Sequence, residues 1–311
     1  MNLEDKILIT GANGLVGSNL TEVLKKEGYD NLVTVGRKDC DLLNLENTVN
    51  FFKIHKPKFV FHLAAEVYGI MGNMKNKGKS FFNNILLNTH VIEASKQINV
   101  NKIIAMGSGC VYPYPQPSLP LKESMVFLGE PHFSEDSYAH AKRAMLAHLK
   151  AYKESYDMNY AFVISGNLYG PNDKFDIENG HVIPSLIAKF YEAKKNNTKI
   201  TVWGNGLAKR DFLYAKDVAK ALIKIANEIE GPVNMGSGMV SNIKDIVFHL
   251  AKYLNIEDKV VWDSSMPNGQ DHREYDLSKL FSVGFKPMTD LQEGLIETFD
   301  WYSNNLDKIR N

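Results

Sequence analysis

The stretch that decides the fold is residues 6–17, KILITGANGLVG. Its first five residues are mostly apolar or β-branched and predict a buried strand. Three glycines then separate this strand from an amphipathic segment that passes through Leu20 and Leu24. Such glycines allow a tight turn, let backbone N–H groups approach a pyrophosphate, and let helix and strand pack closely. We therefore predict a nucleotide-binding turn, with a purely structural turn as the plainer alternative. The contacts expected along it are Gly11, Asn13, Gly14, Leu15 and Gly17.

Further apolar runs recur along the first half of the chain, with helical patterns between them. They lie at residues 31–35, 59–63, 102–106 and 161–164. Continuous apolar strands that alternate with helices are typical of a parallel sheet covered on both faces. Right-handed crossovers stack such units into a doubly wound sheet. We predict an α/β fold with a Rossmann-type doubly wound parallel sheet.

The pattern loosens after about residue 170, where proline and glycine separate shorter elements. The 311 residues suit two domains at about 150 residues each. We predict a nucleotide-binding Rossmann domain from residues 1–171 with about 211–237. A smaller α/β substrate domain is expected from about 172–210 with 238–311. The helix at 217–227 and the run at 232–235 are expected to return to the first sheet.

The composition excludes several classes of protein. The chain has 36 Lys and Arg against 36 Asp and Glu, and 44% of its residues are hydrophobic. Disordered, collagen-like and polybasic nucleic-acid-binding proteins do not look like this. No stretch approaches the roughly 20 apolar residues of a membrane span, and the acidic N-terminus argues against a signal peptide. Because Cys40 and Cys110 are too few for a disulfide framework, we expect a cytoplasmic protein.

The end of the second strand bears on cofactor choice. It carries Arg37 and Lys38, where an acidic residue would bind the ribose 2′-hydroxyl of NAD. A cation at this place accommodates a 2′-phosphate, which favours NADP(H). Asp39 and Asp41 follow closely, so a solvated surface Arg-Lys pair remains the plainer alternative.

Three residues in the first half form a candidate reductase site. Ser108 follows the strand that ends at Met106, and Tyr138 and Lys142 form a YxxxK motif. Positions i and i+4 share one face of a helix, so the ammonium group is expected to lower the phenol pKa from about 10. Tyr138 would then be a proton donor, Lys142 would hold a nicotinamide ribose and Ser108 would bind a carbonyl. An incidental Tyr and Lys on a surface helix is the alternative.

Several motifs carry a resemblance to a known family. Residues 11–14 (GANG), 62–65 (HLAA), 138–142 (YAHAK) and 167–171 (NLYGP) resemble the extended short-chain dehydrogenase/reductases that modify nucleotide sugars. Residues 107–113 (GSGCVYP), 180–184 (GHVIP) and 202–206 (VWGNG) are more specifically similar to the GDP-L-fucose synthase family. The resemblance runs from the glycine turn to Trp301. It implies NADP(H), a GDP-4-keto-6-deoxy sugar substrate, reduction at carbon 4 with 3,5-epimerisation, and a homodimer.

The resemblance also implies acid–base roles for two residues. A ketone at carbon 4 acidifies the protons on carbons 3 and 5, so inversion needs a base on one face and an acid on the other. The resemblance implies Cys110 as the base and His181 as the acid; a thiol near a cation and an imidazole both suit such work. From the residues alone, Cys110 also fits a small buried hydrophobe and His181 a loop hydrogen-bonder. Cys40 has only the plain interpretation.

The remaining contacts rest on the resemblance. It implies cofactor contacts at Arg37, Asp41, Leu42, Ala64, Ala65, Lys142, Leu168 and His181. It implies substrate contacts at Asn167, Val182, Lys189, Trp203, Arg210 and Arg273. An exposed helix face for Lys189 and a small core for Trp203 are the alternatives. The apolar residues expected at a two-fold helix interface are Leu86, Val91, Ile92, Leu146 and Leu149, although some of them must face the chain's own sheet.

The chain departs from the family pattern around the predicted sugar site. Gly109, Gly166 and Gly180 stand where serine, threonine and serine are usual, and Glu66 and Tyr68 replace Lys and Gly. Fewer side chains would enlarge the pocket or remove orienting hydrogen bonds, unless the changes are drift. The alternative function is therefore a carbon-4 reductase that lacks epimerase activity. Its substrate would be a GDP-4-keto-6-deoxyheptose made for a capsule or other surface polysaccharide.

Overall fold

The computed structural model describes residues 1–178, 180–266 and 271–309. Its strands are β1 (Ile7–Thr10), β2 (Leu32–Val35), β3 (Phe59–His62), β4 (Lys102–Met106), β5 (Tyr160–Ser165), β6 (Asn167–Tyr169), β7 (Ile200–Trp203), β8 (Lys209–Tyr214), β9 (Gly231–Met235), β10 (Val240–Asn242) and β11 (Val260–Asp263). Its helices are α1 (Leu15–Lys26), α2 (Leu45–His55), α3 (Ile70–Lys75), α4 (Lys77–Gln97), α5 (Asp136–Tyr156), α6 (Val182–Asn196), α7 (Ala215–Glu228), α8 (Ile243–Leu254), α9 (Ser278–Ser282) and α10 (Leu291–Asn304).

A six-stranded sheet in the order β2-β1-β3-β4-β5-β9 forms the centre of the larger lobe, and every neighbouring pair is parallel. Strands β1, β3 and β5 are buried along their whole length, because helices cover both faces of the sheet. Helices α1 and α7 contribute to the core on one face, whereas α2, α4 and α5 contribute to the core on the other. The predicted doubly wound parallel sheet is confirmed.

The smaller lobe has its own core, to which α6, α8 and α10 contribute. It contains a three-stranded sheet in the order β10-β8-β6 and the parallel pair β11-β7. Strand β9 pairs with β5 at the edge of the large sheet, as expected for the run at 232–235. The exact domain boundaries stay a prediction.

Residues 271–277 connect the two lobes. The carbonyl of Asp271 accepts a hydrogen bond of 2.8 Å from the Lys209 N–H at the start of β8. The carbonyl of Glu274 accepts one of 2.9 Å from the Leu121 N–H in the larger lobe. This segment is thus hydrogen-bonded to elements of both lobes.

The residues expected at a helix interface are mostly used inside the monomer. Val91, Ile92, Leu146 and Leu149 belong to the core between the sheet and helices α4 and α5. Their assignment to an interface was wrong, because these helices turn the same faces towards their own sheet. Leu86 is half-buried. None of the helices in the described ranges is long and apolar enough to cross a bilayer.

Candidate active site

The glycine turn after β1 is close-packed around its own backbone. Gly11 has φ +67, and a Cβ there would lie 2.8 Å from the Ala64 nitrogen. A Cβ on Gly17 would overlap the Gly11 carbonyl oxygen and lie 2.7 Å from the Ala12 Cα. Helix α1 starts directly after Gly14, so its first N–H groups face the turn. This cradle fits a dinucleotide pyrophosphate, because a phosphate there meets backbone donors and the positive end of a helix.

Arg37 follows β2 at the edge of this cradle and is exposed. The Asp39 carboxylate accepts a 2.8 Å hydrogen bond from the Gly36 N–H. Asp41 likewise accepts from the Leu43 N–H at 3.0 Å, and the half-buried Leu42 is bonded through its carbonyl to the His90 ring. Both carboxylates thus accept hydrogen bonds from backbone N–H groups of their own loop. The exposed Arg37 therefore fits a 2′-phosphate.

The segment after β3 links the glycine cradle to Cys110 and Tyr138. The Thr10 hydroxyl accepts hydrogen bonds from the Leu63 and Ala64 N–H groups at 3.1 and 3.2 Å. The next residue, Ala65, packs against Cys110 and Tyr138. The expected cofactor contacts Ala64 and Ala65 therefore lie between the two parts of the site.

The YxxxK pair lies on α5 with the predicted geometry. The Lys142 Nζ is 5.6 Å from the centroid of the Tyr138 ring and donates a 2.8 Å hydrogen bond to the Met106 carbonyl. Ser108 accepts a 3.4 Å hydrogen bond from the Cys110 N–H and starts a short 3-10 turn over Gly109–Val111. The side chains of Tyr138, Lys142 and Cys110 are buried, Ser108 is half-buried, and the four lie together at the carboxyl end of β4.

The electrostatics of this cluster correct one prediction. Burial raises the pKa of Tyr138 well above 10, and Cys110 and Glu135 raise it further. Burial also lowers the pKa of Lys142 to about 8, although Cys110 acts in the opposite direction. The expectation that Lys142 lowers the phenol pKa was wrong, because desolvation outweighs the nearby ammonium group. A phenol with a high pKa stays protonated and is ready to donate.

The two residues with implied epimerase roles sit in contrasting surroundings. Cys110 is 3% exposed, and burial together with Glu135 raises its pKa to about 12. The Ser108 hydrogen bond, Arg273 and Lys142 act in the opposite direction. His181 is exposed and precedes the first residue of α6, where its carbonyl accepts from the Ser185 N–H at 3.0 Å. Their roles as base and acid stay predictions.

The smaller lobe brings two expected substrate contacts together. The Lys189 Nζ lies 5.0 Å from the centroid of the Trp203 ring. Both side chains line an open cavity of about 280 Å³, together with Glu192 and Thr201. Lys189 is half-buried, and this burial lowers its pKa. A flat ring beside a cation suits a purine base and a phosphate.

Two further expected contacts, Arg210 and Arg273, lie near the start of α5. Arg273 pairs with Glu135 at 3.5 Å, with side-chain exposures of 12% and 25%. Burial and the neighbouring Arg273 lower the pKa of Arg210 to about 10. Asn167 opens β6 and pairs with Phe212, and Val182 is the first residue of α6. Leu168 is half-buried against the core of the larger lobe.

Comparison with known proteins agrees with this geometry. Residues 7–236 match the NAD dependent epimerase/dehydratase family. The chain belongs to that family. A GDP-L-fucose synthase from Dictyostelium discoideum is 35% identical over 311 residues, which cover 98% of this chain and 97% of the relative. The predicted resemblance to the GDP-L-fucose synthases is thereby confirmed.

Two solved structures of the family are also similar. A GDP-mannoheptose C4 reductase from Campylobacter jejuni with NADP bound matches with a TM-score of 0.88 and 28% identity, over 97% of this chain and 99% of that one. A GDP-L-fucose synthetase from Naegleria fowleri bound to NADP matches with a TM-score of 0.91 and 28% identity, over 100% and 98%.

The structure explains most of the departures from the family pattern. A Cβ on Gly109 would overlap the Tyr275 hydroxyl, and one on Gly166 would lie 3.2 Å from Tyr275 Cε2. These two glycines therefore do not enlarge the pocket, because a tyrosine occupies the space. A Cβ on Gly180 would overlap the Asp176 carbonyl, so this glycine serves a tight turn.

Glu66 and Tyr68, which follow Ala65, are hydrogen-bonded to each other. Tyr68 donates a hydrogen bond to Glu66, and Asn83 donates another to the second carboxylate oxygen at 2.5 Å. Lys79 pairs with the same carboxylate at 3.4 Å. Although burial acts in the other direction, these three partners lower the pKa of Glu66. Glu66 is therefore a fixed anion beside the cofactor segment.

Sequence reasoning missed two residues of this candidate site. Glu135 lies three positions before Tyr138, and its charge acts on both Cys110 and Tyr138. Tyr275 comes from a distant part of the chain. The available signal was the pair Gly109 and Gly166, since two missing side chains suggest that another side chain fills their place.

Proposed function

We propose that this chain is an NADP(H)-dependent nucleotide-sugar oxidoreductase. It reduces carbon 4 of a GDP-4-keto-6-deoxy sugar and epimerises carbons 3 and 5. The observation that carries this proposal is the cluster of the half-buried Ser108 with the buried Cys110, Tyr138 and Lys142, which Ala65 joins to the glycine cradle. Reduction and proton exchange then act on one bound sugar.

The reduction half uses three residues of the cluster. When bound, NADPH supplies the hydride that reduces the ketone. Ser108 donates a hydrogen bond to the ketone oxygen, and Tyr138 gives its phenolic proton to the same oxygen as it becomes an alcohol. Lys142 holds the nicotinamide ribose and adds positive charge beside Tyr138, where the phenolate forms.

Cofactor preference follows from the cradle and its edge. The backbone around Gly11 and Gly17 leaves no room for side chains, which is the shape that a pyrophosphate needs. Arg37 offers the cation for a 2′-phosphate, while Asp39 is occupied by the Gly36 N–H. NADP-bound relatives with 28% identity support the same choice.

The epimerisation half uses Cys110 and His181. The Cys110 thiolate removes a proton from carbon 3 or 5, which the neighbouring ketone has acidified. Burial and Glu135 raise the Cys110 pKa overall, whereas Arg273 and Lys142 act in the opposite direction and favour the thiolate. His181 returns a proton on the opposite face, and its position before α6 places it in the other lobe.

The diphosphate and base of the substrate belong to the smaller lobe in this proposal. Lys189 and Trp203 share one cavity, and Arg210 lies beside Arg273. These cations neutralise the diphosphate, whereas the ring of Trp203 stacks on the base. Asn167 and Val182 flank the sugar.

The second candidate is a carbon-4 reductase without epimerase activity that acts on a GDP-4-keto-6-deoxyheptose. The observation that favours it is the likeness to the GDP-mannoheptose C4 reductase, with a TM-score of 0.88 over 97% of this chain. The two candidates share Ser108, Tyr138 and Lys142 but differ in the use of Cys110 and His181.

Nuclear magnetic resonance of the product tests both candidates. The purified chain is incubated in heavy water with the matched hexose and heptose 4-ketones, with and without NADPH. We expect deuterium at carbons 3 and 5 without NADPH, and a carbon-4 alcohol with it. Tyr138→Phe should abolish reduction and keep the exchange. Reduction without deuterium would select the second candidate, and no NADPH oxidation with either ketone would reject both.

We also propose a cytoplasmic homodimer that associates through the outward faces of α4 and α5. Phe82 is 60% exposed, and Leu86 lies one turn further along α4. Ala144 and Ala147 on α5 are also exposed and small enough for close helix contact. The cytoplasm is proposed because the substrate is a charged, water-soluble nucleotide sugar. Sedimentation equilibrium of wild type and Phe82→Glu tests the interface.

A further inference from the structure

Tyr275 fills the space beside the turn that carries Ser108 and Cys110. It belongs to residues 271–277, which connect the two lobes, and is 5% exposed. Its neighbours Glu274 and Asp276 exchange two backbone hydrogen bonds of 2.9 Å with Leu121. Residues two apart on such an extended segment point to the same side, so Arg273 and Tyr275 face one region.

Gly109 and Gly166, which lack side chains, leave the space that the Tyr275 ring occupies. Its hydroxyl would overlap a Cβ on Gly109, and Cε2 is 3.2 Å from the point where a Cβ on Gly166 would lie. Gly109 stands between Ser108 and Cys110, the two reacting side chains of the turn. A movement of Tyr275 therefore changes the position of both.

The Tyr275 hydroxyl is a polar group that the packing of the core does not require. It is fully buried without a well-formed hydrogen bond among the described residues; burial raises the pKa of Tyr275, and the nearby Arg273 lowers it. Burial of such a group costs free energy that phenylalanine in the same place would avoid. Its ring already packs in the core beside Tyr112, with the centroids 6.0 Å apart. The hydroxyl therefore indicates a role in the reaction rather than in folding.

Arg273 is the group that connects this hydroxyl to the reacting thiol. Burial alone would lower the pKa of Arg273, but Tyr275, Glu135 and Cys110 together raise it. The guanidinium thus lies among these three groups, paired with Glu135 at 3.5 Å. Its charge is in turn one of the influences that favour the Cys110 thiolate.

We propose that Tyr275 is a positioning residue for proton transfer at Cys110. Its ring sets the turn at Gly109, and in the reacting complex its phenolic oxygen accepts a hydrogen bond from Arg273. This keeps the guanidinium beside the thiol. The inference rests on the proposed function, because it concerns the proton that Cys110 removes from the sugar.

Tyr275→Phe tests the hydroxyl. We expect deuterium exchange at carbons 3 and 5 to fall about tenfold, and its rise with pH to shift to higher pH, because the thiolate loses part of its cation. NADPH affinity should stay as in wild type, and the midpoint of thermal unfolding should not fall, because phenylalanine avoids the cost of burying the hydroxyl. Phe281→Leu, a change of an exposed ring on α9, is the control. Unchanged exchange with an unchanged pH profile in Tyr275→Phe would overturn the role of the hydroxyl.

A double-mutant cycle tests the ring without any substrate. Gly109→Ser alone should lower the midpoint of unfolding, and Gly109→Ser with Tyr275→Leu should restore a large part of the loss. Additive effects of the two changes would overturn the shared space. A wild-type chain that does not exchange deuterium would reject the proposed epimerisation, whereas the cycle would still decide the packing.

Discussion

The cofactor end and the sugar end of the active site are built in opposite ways. The cofactor cradle comes from contiguous residues, with Gly11 and Gly17 packed against neighbouring backbone. The sugar end is assembled from distant segments, which bring Cys110 from after β4, Tyr138 from α5 and Arg273 from the connecting segment. The cradle therefore depends on backbone space and is insensitive to pH. The sugar end depends on buried charges and on how the segments meet.

Cys110→Ser should break the sugar end and leave the cradle intact. A serine hydroxyl is a far weaker base than a thiolate, so we expect deuterium exchange to fall about 10²–10⁴-fold. NADPH binding, measured by isothermal titration calorimetry, should not change. Cys40→Ser is the matched control, since Cys40 is a buried free thiol away from the cluster. Equal loss of NADPH affinity would contradict the separation of the two ends.

Lys142→Met should expose the pH dependence of the buried cluster. The folded pKa of Lys142 is about 8, below its usual 10.5, so the folded chain binds fewer protons between these values and gains stability as the pH rises. Met does not titrate. The stability of wild type relative to the variant should therefore grow by about 2–3 kcal/mol between pH 7 and 10. Urea unfolding at both pH values measures it, and parallel curves would contradict the buried charge.

Gly17→Ala should damage the cradle at every pH. The new Cβ would lie 2.7 Å from the Ala12 Cα, and overpacking of this kind costs about 1–3 kcal/mol. We expect NADPH to bind about 10-fold or more weakly in calorimetry, with the same loss at pH 6 and pH 9. Gly78→Ala is the control, because its Cβ meets nothing within 4 Å and should add a few tenths of a kcal/mol of stability. A loss that varies with pH would show that charges also shape the cradle.

Glu135→Gln should give the smallest effect and the most specific one. The Glu135 charge raises the pKa of both Cys110 and Tyr138, so its removal lowers both. The rise of deuterium exchange with pH should move to lower pH by roughly half a unit to one unit. Glu130→Gln, whose side chain is 84% exposed, should leave the profile in place. A shift to higher pH would mean that Glu135 acts mainly by holding Arg273.

The same contrast decides how much could be predicted from the sequence. The glycine turn between strand and helix, the buried strands of a parallel sheet and the Tyr138–Lys142 spacing depend on local pattern, and each is found as expected. The roles of Glu135 and Tyr275 depend on contacts between distant segments, which no local pattern carries. The error about the Tyr138 pKa has the same origin, since spacing shows the neighbouring cation but not the depth of burial.

The error about Val91, Ile92, Leu146 and Leu149 has a related cause. Apolar residues on a helix show that one face is covered, but not whether a sheet or a second subunit covers it. Here the sheet of the same chain covers them. Exposed residues such as Phe82 could be recognised only after the inward face was known.

The shared space of Gly109, Gly166 and Tyr275 limits how this enzyme can exchange segments with its relatives. A crossover between positions 109 and 275 would join Tyr275 from one parent to a bulkier residue at 109 from the other. Such a chimera would carry a steric conflict even if each half folded well in its own parent. Inheritance of the three positions is therefore coupled, although the gene places them far apart.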